Sequence, residues 1–227
     1  MKVILDLCGG TGAWSKPYAD NGFDVQVITH PFHDVERIMF YDDCMIFWSN
    51  NMLAKNVEVK YSDVYGILAA PPCTEFSVAK NGKHRERDFE EGMKTVRYCM
   101  DIIWTIQEKK RLKFWALENP RGLLRRFLGV PKYTFEQWQF GGKYIKATDV
   151  WGYFNIPART VRKKPEGMTV RQPSGRTISK FWGIRETPEE HSAYLSMFDS
   201  DGKRAAIRAI TPAGFAEAFY KANGGRD

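Results

Sequence analysis

The sequence is short of everything that would place it in a membrane, a disulfide scaffold or a metal site. Among its 227 residues no apolar run approaches the roughly 18 needed to cross a bilayer. Its four cysteines (Cys8, Cys44, Cys73, Cys99) are far apart and form no CxxC pair. That argues against a zinc site or a bridged scaffold, and for a reducing compartment. His30, His33 and His191 show no ligand spacing, and Pro31 spoils the one-face helical geometry a His30/His33 metal pair would need. There is no internal repeat and no low-complexity tract. No secretory leader is expected, because residues 1–6 read at once as a strand.

What is present suffices for a core. Hydrophobic residues make up 43% and aromatics 14%, which excludes a disordered polyampholyte. The length suits one domain with at most a small appendage. With 34 Lys and Arg against 27 Asp and Glu, the net charge of +7 admits a polyanionic partner.

Residues 2–7 read as an apolar strand, Gly9-Gly10-Thr11-Gly12 as a turn, 13–21 as a helix ended by Gly22, and 24–29 as a second strand. This order opens a doubly wound, mostly parallel α/β sheet of the Rossmann-like kind. A third strand is expected at either 35–40 or 57–60, with 41–56 an insertion or a short helix. Residues 64–70 form a buried strand, and a polar loop follows over 74–88. Residues 89–110 form a helix with Met93, Val96, Met100 and Ile103 on one stripe. Another strand spans 114–117, residues 133–156 are strand-rich, and 157–180 are basic and aperiodic. Thr211 is expected to cap a last helix with Pro212 at its first position. Trp104, Trp115, Trp138 and Trp182 read as core, and Cys8, Cys44 and Cys99 as buried structural thiols.

Three motifs fall at strand carboxyl ends, where open α/β sheets bind ligands. In Asp6-Leu7-Cys8-Gly9-Gly10-Thr11-Gly12, the glycines let backbone approach a ligand beside a helix N-terminus. The spacing is not GxGxxG and no GK[ST] follows, so this is neither a dinucleotide fingerprint nor a P-loop. Its bland alternative is a tight packing turn. In Pro71-Pro72-Cys73-Thr74-Glu75-Phe76-Ser77, the cysteine is either an activated nucleophile or a structural thiol. In Glu118-Asn119-Pro120, a partly buried carboxyl can hold or pass a proton, or the triplet is only a turn before proline.

Taken in order, these motifs resemble the cytosine-5 DNA methyltransferase family. Gln139-Phe140-Gly141, Tyr144-Ile145-Lys146-Ala147-Thr148, Val150-Trp151-Gly152 and the run from Arg208 to Ala216 look like its short, phage-type members. The resemblance spans residues 3–156 and 204–223. It implies S-adenosylmethionine held by Asp6, Leu7, Cys8, Gly9, Gly10, Thr11, Gly12, Trp14, Pro71 and Thr211. It further implies a nucleophilic Cys73, Glu118 and Asn119 at the cytosine, and Lys146 in place of a base-contacting arginine. The implied organisation is a catalytic domain of residues 1–156 and 204–227 with a small basic DNA-recognition insertion at 157–203. The implied setting is a monomer in the cytoplasm of a bacterial or phage-infected cell, working without a metal or a membrane.

The departures are specific. Cys8 stands where the family has an aromatic. Thr29-His30-Pro31 replaces the acid that holds the cofactor ribose, leaving Asp34 as the nearest substitute. The family's Gln-x-Arg-x-Arg block is not intact. A second methyltransferase class, acting on exocyclic amines, carries [Asp/Asn/Ser]-Pro-Pro-aromatic at the same strand end; here Ala70 and Cys73 flank Pro71-Pro72, which favours carbon.

DNA contacts are expected from Ser77, Lys83, Arg85 and Arg87 in the loop after the nucleophile, which also carries Lys80 and His84. They are also expected from Arg162, Lys163, Lys164, Arg171 and Arg176. Between Arg159 and Lys180 seven basic residues face one acid, Glu166, so that stretch holds +6 of the total +7. Two other readings stay open: modification of the base of a free deoxycytidine nucleotide, and a non-catalytic nucleic-acid-binding module.

Overall fold

The computed structural model describes residues 1–52, 54–78, 86–180 and 188–225. Strand β1 (Val3–Leu7) is buried along its whole length, as an inner parallel strand must be. The glycine turn leads into α1 (Lys16–Asp20) and then β2 (Asp24–Ile28), which pairs parallel with β1. The next strands, β3 (His33–Phe40), β4 (Cys44–Ser49) and β5 (Val57–Lys60), form a separate antiparallel sheet. Strand β6 (Val64–Ala69) pairs parallel with the other edge of β1. Helix α2 (Phe89–Lys109) leads to β7 (Phe114–Pro120), parallel to β6. After α3 (Arg125–Leu128), β8 (Tyr133–Glu136) and β9 (Ala147–Tyr153) complete a six-stranded sheet of order β2-β1-β6-β7-β9-β8, in which β9 alone runs against its neighbours. A hairpin of β10 (Thr169–Arg171) and β11 (Thr177–Ser179) follows. Helices α4 (Ser192–Leu195), α5 (Ser200–Ala209) and α6 (Ala213–Asn223) come last. The protein is thus mixed α/β with a mostly parallel central sheet, compatible with a Rossmann-like fold.

Side-chain alternation along β1 divides the core in two. Val3, Leu5 and Leu7 meet α2 (Val96, Cys99, Ile103, Ile106) and the inner face of the small sheet (Met45, Phe47, Val59). Ile4 faces the other way, into an aromatic cluster of Trp14, Tyr18, Phe114, Phe215 and Phe219. Helix α2 starts where the Asp88 carboxylate accepts the Glu91 amide at 2.9 Å, with Glu90 and Glu91 in the first turn and Lys109 in the last.

Several expectations need correction. Both 35–40 and 57–60 are strands, but they belong to the small sheet, and 41–56 contains β4 rather than a helix. Helix α1 is shorter than expected, because residues 11–15 are taken up by the turn. On α2, Met93 and Met100 lie at the margin while Cys99, Ile102 and Ile106 are fully buried; packing against two sheets demands a wider apolar face than one stripe. Pro212 rather than Thr211 is the N-cap of α6, with an extended φ,ψ of −61°, 131°. Trp104 is 59% exposed on α2, and Cys8 and Cys44 are only partly buried. Glu118-Asn119-Pro120 lies inside β7, because β9 pairs with that strand as far as Pro120. Trp182 lies outside the described residues. Among the described residues, no helix is long and apolar enough to cross a membrane, and no group of three His, Cys, Asp or Glu side chains could hold a metal ion.

Candidate active site

Three chain segments bring Cys73, Glu118 and Lys146 together. Cys73 follows β6 through Pro71-Pro72, and its carbonyl accepts the amides of Phe76 and Ser77 at 3.0 and 2.8 Å. Fully buried Phe76 anchors this turn against Phe89 and Phe127, with ring centroids 6.3 and 5.9 Å away. Glu118 comes from the neighbouring β7, and its Oε2 is buried with no hydrogen-bond partner among the described residues. Lys146 immediately precedes β9 and donates to the Arg208 carbonyl at 2.8 Å, tying the site to α5.

The electrostatics link the three groups. Burial pushes the Cys73 thiol and the Glu118 carboxyl above their ordinary values. The Lys146 ammonium opposes both shifts, and the Glu118 charge adds to that on Cys73. At neutral pH this favours a neutral thiol at rest, and it biases the Glu118 carboxyl toward its protonated form. Asn119, expected beside Glu118 at the base, is 1% exposed, and its amide donates to the Pro71 carbonyl at 2.9 Å. It joins the ends of β6 and β7, so it positions Cys73 relative to Glu118.

The glycine turn lies one strand away, at the end of β1. Cys8, Gly10 and Gly12 have φ of 56°, 58° and 71°. A Cβ on Gly9 would come within 2.3 Å of the Asp6 carboxyl, so only glycine fits over that acid. Asp6 forms the floor: it is fully buried, accepts from the Ser15 hydroxyl at 2.5 Å, and its Oδ1 has no partner among the described residues. Burial raises its pKa to about 7, against the lowering effect of Ser15. Gly9, Gly10, Thr11 and Gly12 are partly exposed at the rim, as a ligand cradle requires. Thr211, also partly exposed, lies between α5 and α6, and Pro71 is buried.

Three residues expected at the cofactor have side chains placed elsewhere. Leu7 is fully buried in the α2 core, and Trp14 packs on Phe215 and Phe219 at centroid distances of 5.9 and 5.4 Å. The Cys8 thiol is held by Cys99 and pushed well up, first by that hydrogen bond and then by burial. Asp34 pairs with His30 at 3.2 Å.

Two residues that sequence reasoning missed complete the rim. The Thr29 hydroxyl accepts the Gly10 amide at 3.1 Å. The Tyr194 hydroxyl, from α4, donates to the His30 carbonyl at 3.0 Å and lies 3.9 Å from where a Gly10 Cβ would stand. No local pattern marks Tyr194, which is 164 residues from its partner. Also unforeseen is the buried Asp149, gripped by Arg125 at 2.6 and 2.5 Å and by Thr134 at 2.8 Å, which fixes α3 against β8 and β9.

Of the residues expected on DNA, Arg162, Lys163, Lys164, Arg171 and Arg176 are all exposed. Arg171 and Arg176 flank the tip of the β10–β11 hairpin, where the Gln172 amide donates to Arg176 at 2.8 Å. The hairpin is rooted at the site, because the Ser179 hydroxyl donates to the carbonyl of Ile145, next to Lys146, at 2.9 Å. Arg87 is used differently: its guanidinium donates to the carbonyls of Glu75 and Ser77, the latter at 3.0 Å, so it holds the turn after Cys73. Ser77 is partly exposed in that turn. Lys80, Lys83, His84 and Arg85 lie outside the described residues.

Comparison with known proteins gives no family for this arrangement: no family model matches the chain, and no curated protein matches it.

Proposed function

We propose that this protein transfers a methyl group from S-adenosylmethionine to carbon 5 of cytosine in DNA, through a covalent adduct on Cys73. The observation that carries this reading is the meeting of a thiol, a buried carboxyl and an ammonium at adjacent strand ends, beside a glycine turn. The turn suits an adenosylated amino acid: its rim is partly exposed backbone, and beneath it Asp6 keeps a buried oxygen with no partner among the described residues. Held there, S-adenosylmethionine supplies an electrophilic methyl group.

The chain's own residues do the rest. Carbon 5 of cytosine is a weak nucleophile. Cys73 loses its thiol proton to solvent, and attack of the resulting thiolate on carbon 6 forms a C–S bond and moves the ring double-bond electrons toward carbon 5. Glu118, whose carboxyl burial biases toward the protonated form, gives its proton to ring nitrogen 3 and neutralises the charge that develops. Lys146 lowers the cost of the thiolate. After methylation, loss of the carbon-5 proton to solvent re-forms the double bond and expels Cys73, and nitrogen 3 returns its proton to Glu118. The target base must leave the stack, or be supplied single-stranded, to reach the partly buried Cys73.

The test uses tritiated methyl donor with duplex DNA or with dCMP, comparing wild type and Cys73→Ala. Label in DNA that disappears in the variant is expected. Label in dCMP alone would replace DNA by a free nucleotide, and no label in either would sink the reading.

A further inference from the structure

The segment after Glu118-Asn119-Pro120 was assigned no function by its sequence. It borders the candidate site, touching both the chain beside Lys146 and the turn that carries Cys73. The Arg121 amide donates to the Ala147 carbonyl at 2.9 Å, one residue past Lys146, while the hairpin is rooted one residue before it, at Ile145. The Leu123 amide donates to the Phe76 carbonyl at 2.8 Å, so the segment also rests on the turn that carries Cys73.

Its exposed side chains have one character. Arg121 and Arg126 point to solvent, and neither side chain makes a hydrogen bond or ion pair among the described residues. Arg125, between them, is turned inward onto Asp149. Phe127 is 44% exposed, with one edge packed on Phe76 and Phe89, and Val130 is 91% exposed. No acidic residue lies between Arg121 and Lys132. Cations beside an exposed, rigidly held aromatic ring match a strand of nucleic acid, whose phosphates alternate with flat apolar bases. A protein partner would find too little apolar area here, and a lipid surface would find no helix long enough to lie on it.

We propose that Arg121, Arg126 and Phe127 form a second DNA-contacting surface, anchored like the hairpin on the chain beside Lys146, with the arginines on phosphates and Phe127 against an unstacked base. This rests on the reading of DNA as substrate.

The experiment measures binding of fluorescein-labelled single-stranded and duplex oligonucleotides across a salt series. Wild type is compared with Arg121→Gln/Arg126→Gln, Phe127→Leu, and Lys109→Gln/Lys113→Gln. The last pair removes equal charge at the opposite ends of the strands. Methyl transfer into DNA by wild type is measured in parallel. The double arginine variant is expected to lower the slope of log affinity against log salt by roughly 2, with the control unchanged. Phe127→Leu keeps the packing on Phe76 and is expected to weaken single-strand binding by roughly tenfold. If the arginine variant matches the control while wild type still methylates DNA, the surface is wrong and the activity stands. If wild type neither binds nor methylates DNA, both fall.

Discussion

At the residue scale, burial is the main source of chemistry in this protein. Asp6 is an acid with no exposure and a pKa raised to about 7. Such a group binds its proton more tightly folded than unfolded, so stability is lost as pH rises from about 4 to about 7 and is flat above. Asp6→Asn removes that pH-dependent cost. Between pH 5 and pH 8 the variant is expected to gain on wild type by about 3 kcal/mol in urea unfolding. Parallel curves would show that Asp6 is not the responsible group. Lys146 offers a second reading of burial. It lowers the pKa of both Cys73 and Glu118, so Lys146→Met lets both rise. Both limbs of the kcat/KM profile are then expected to move to higher pH, with a lower maximum, and an unmoved profile would remove Lys146 from the site. The motifs containing Cys73 and Glu118 were legible in the sequence because strand ends carry them. Lys146 was legible only by resemblance, and its electrostatic tie to both depends on β9 running antiparallel.

At the scale of elements, the turn after Cys73 is held from three sides: by its own amides on the Cys73 carbonyl, by the Arg87 guanidinium, and by the chain at Gly122 and Leu123. A Cβ on Gly122 would stand 2.3 Å from the Phe76 carbonyl oxygen, and backbone cannot swing away as a side chain can. Gly122→Ala is therefore expected to cost about 1–3 kcal/mol of stability and to lower kcat more than cofactor affinity, since it displaces Cys73. Unfolding and cofactor titration together check this, and wild-type values for both would place Gly122 outside the support. Strand and helix periods revealed most elements, including α2 and the inner strands. They did not reveal β4 as a strand or the small sheet as separate, because pairing partners lie outside any local window. Arg87 was read as a phosphate ligand because a basic residue in a polar loop carries no mark of its destination; here two backbone carbonyls claim it.

At the scale of the molecule, the net charge of +7 is unevenly spread. The stretch from Arg159 to Lys180 holds +6 of the +7, and its cations flank an exposed hairpin rooted beside Lys146. Neutralising Arg162, Lys163 and Lys164 is expected to lower the salt slope of DNA binding by about 2–3, and an unchanged slope would assign them to solvent. The remaining +1 conceals local structure. Arg121 and Arg126 are cancelled in the sum by acids on other elements, such as Glu90 and Glu91 on α2, yet among the described residues neither pairs with an acid.

The sequence by itself determined the α/β class and the order of the three motifs, because a parallel sheet returns each carboxyl end to one edge, so motifs at successive strand ends become neighbours. Only the tertiary structure decided which residues finish the site. Lys146 reaches Arg208 across 62 residues, and Tyr194 reaches His30 across 164. Contacts at such separations follow from strand direction and sheet packing, which no local run of residues encodes.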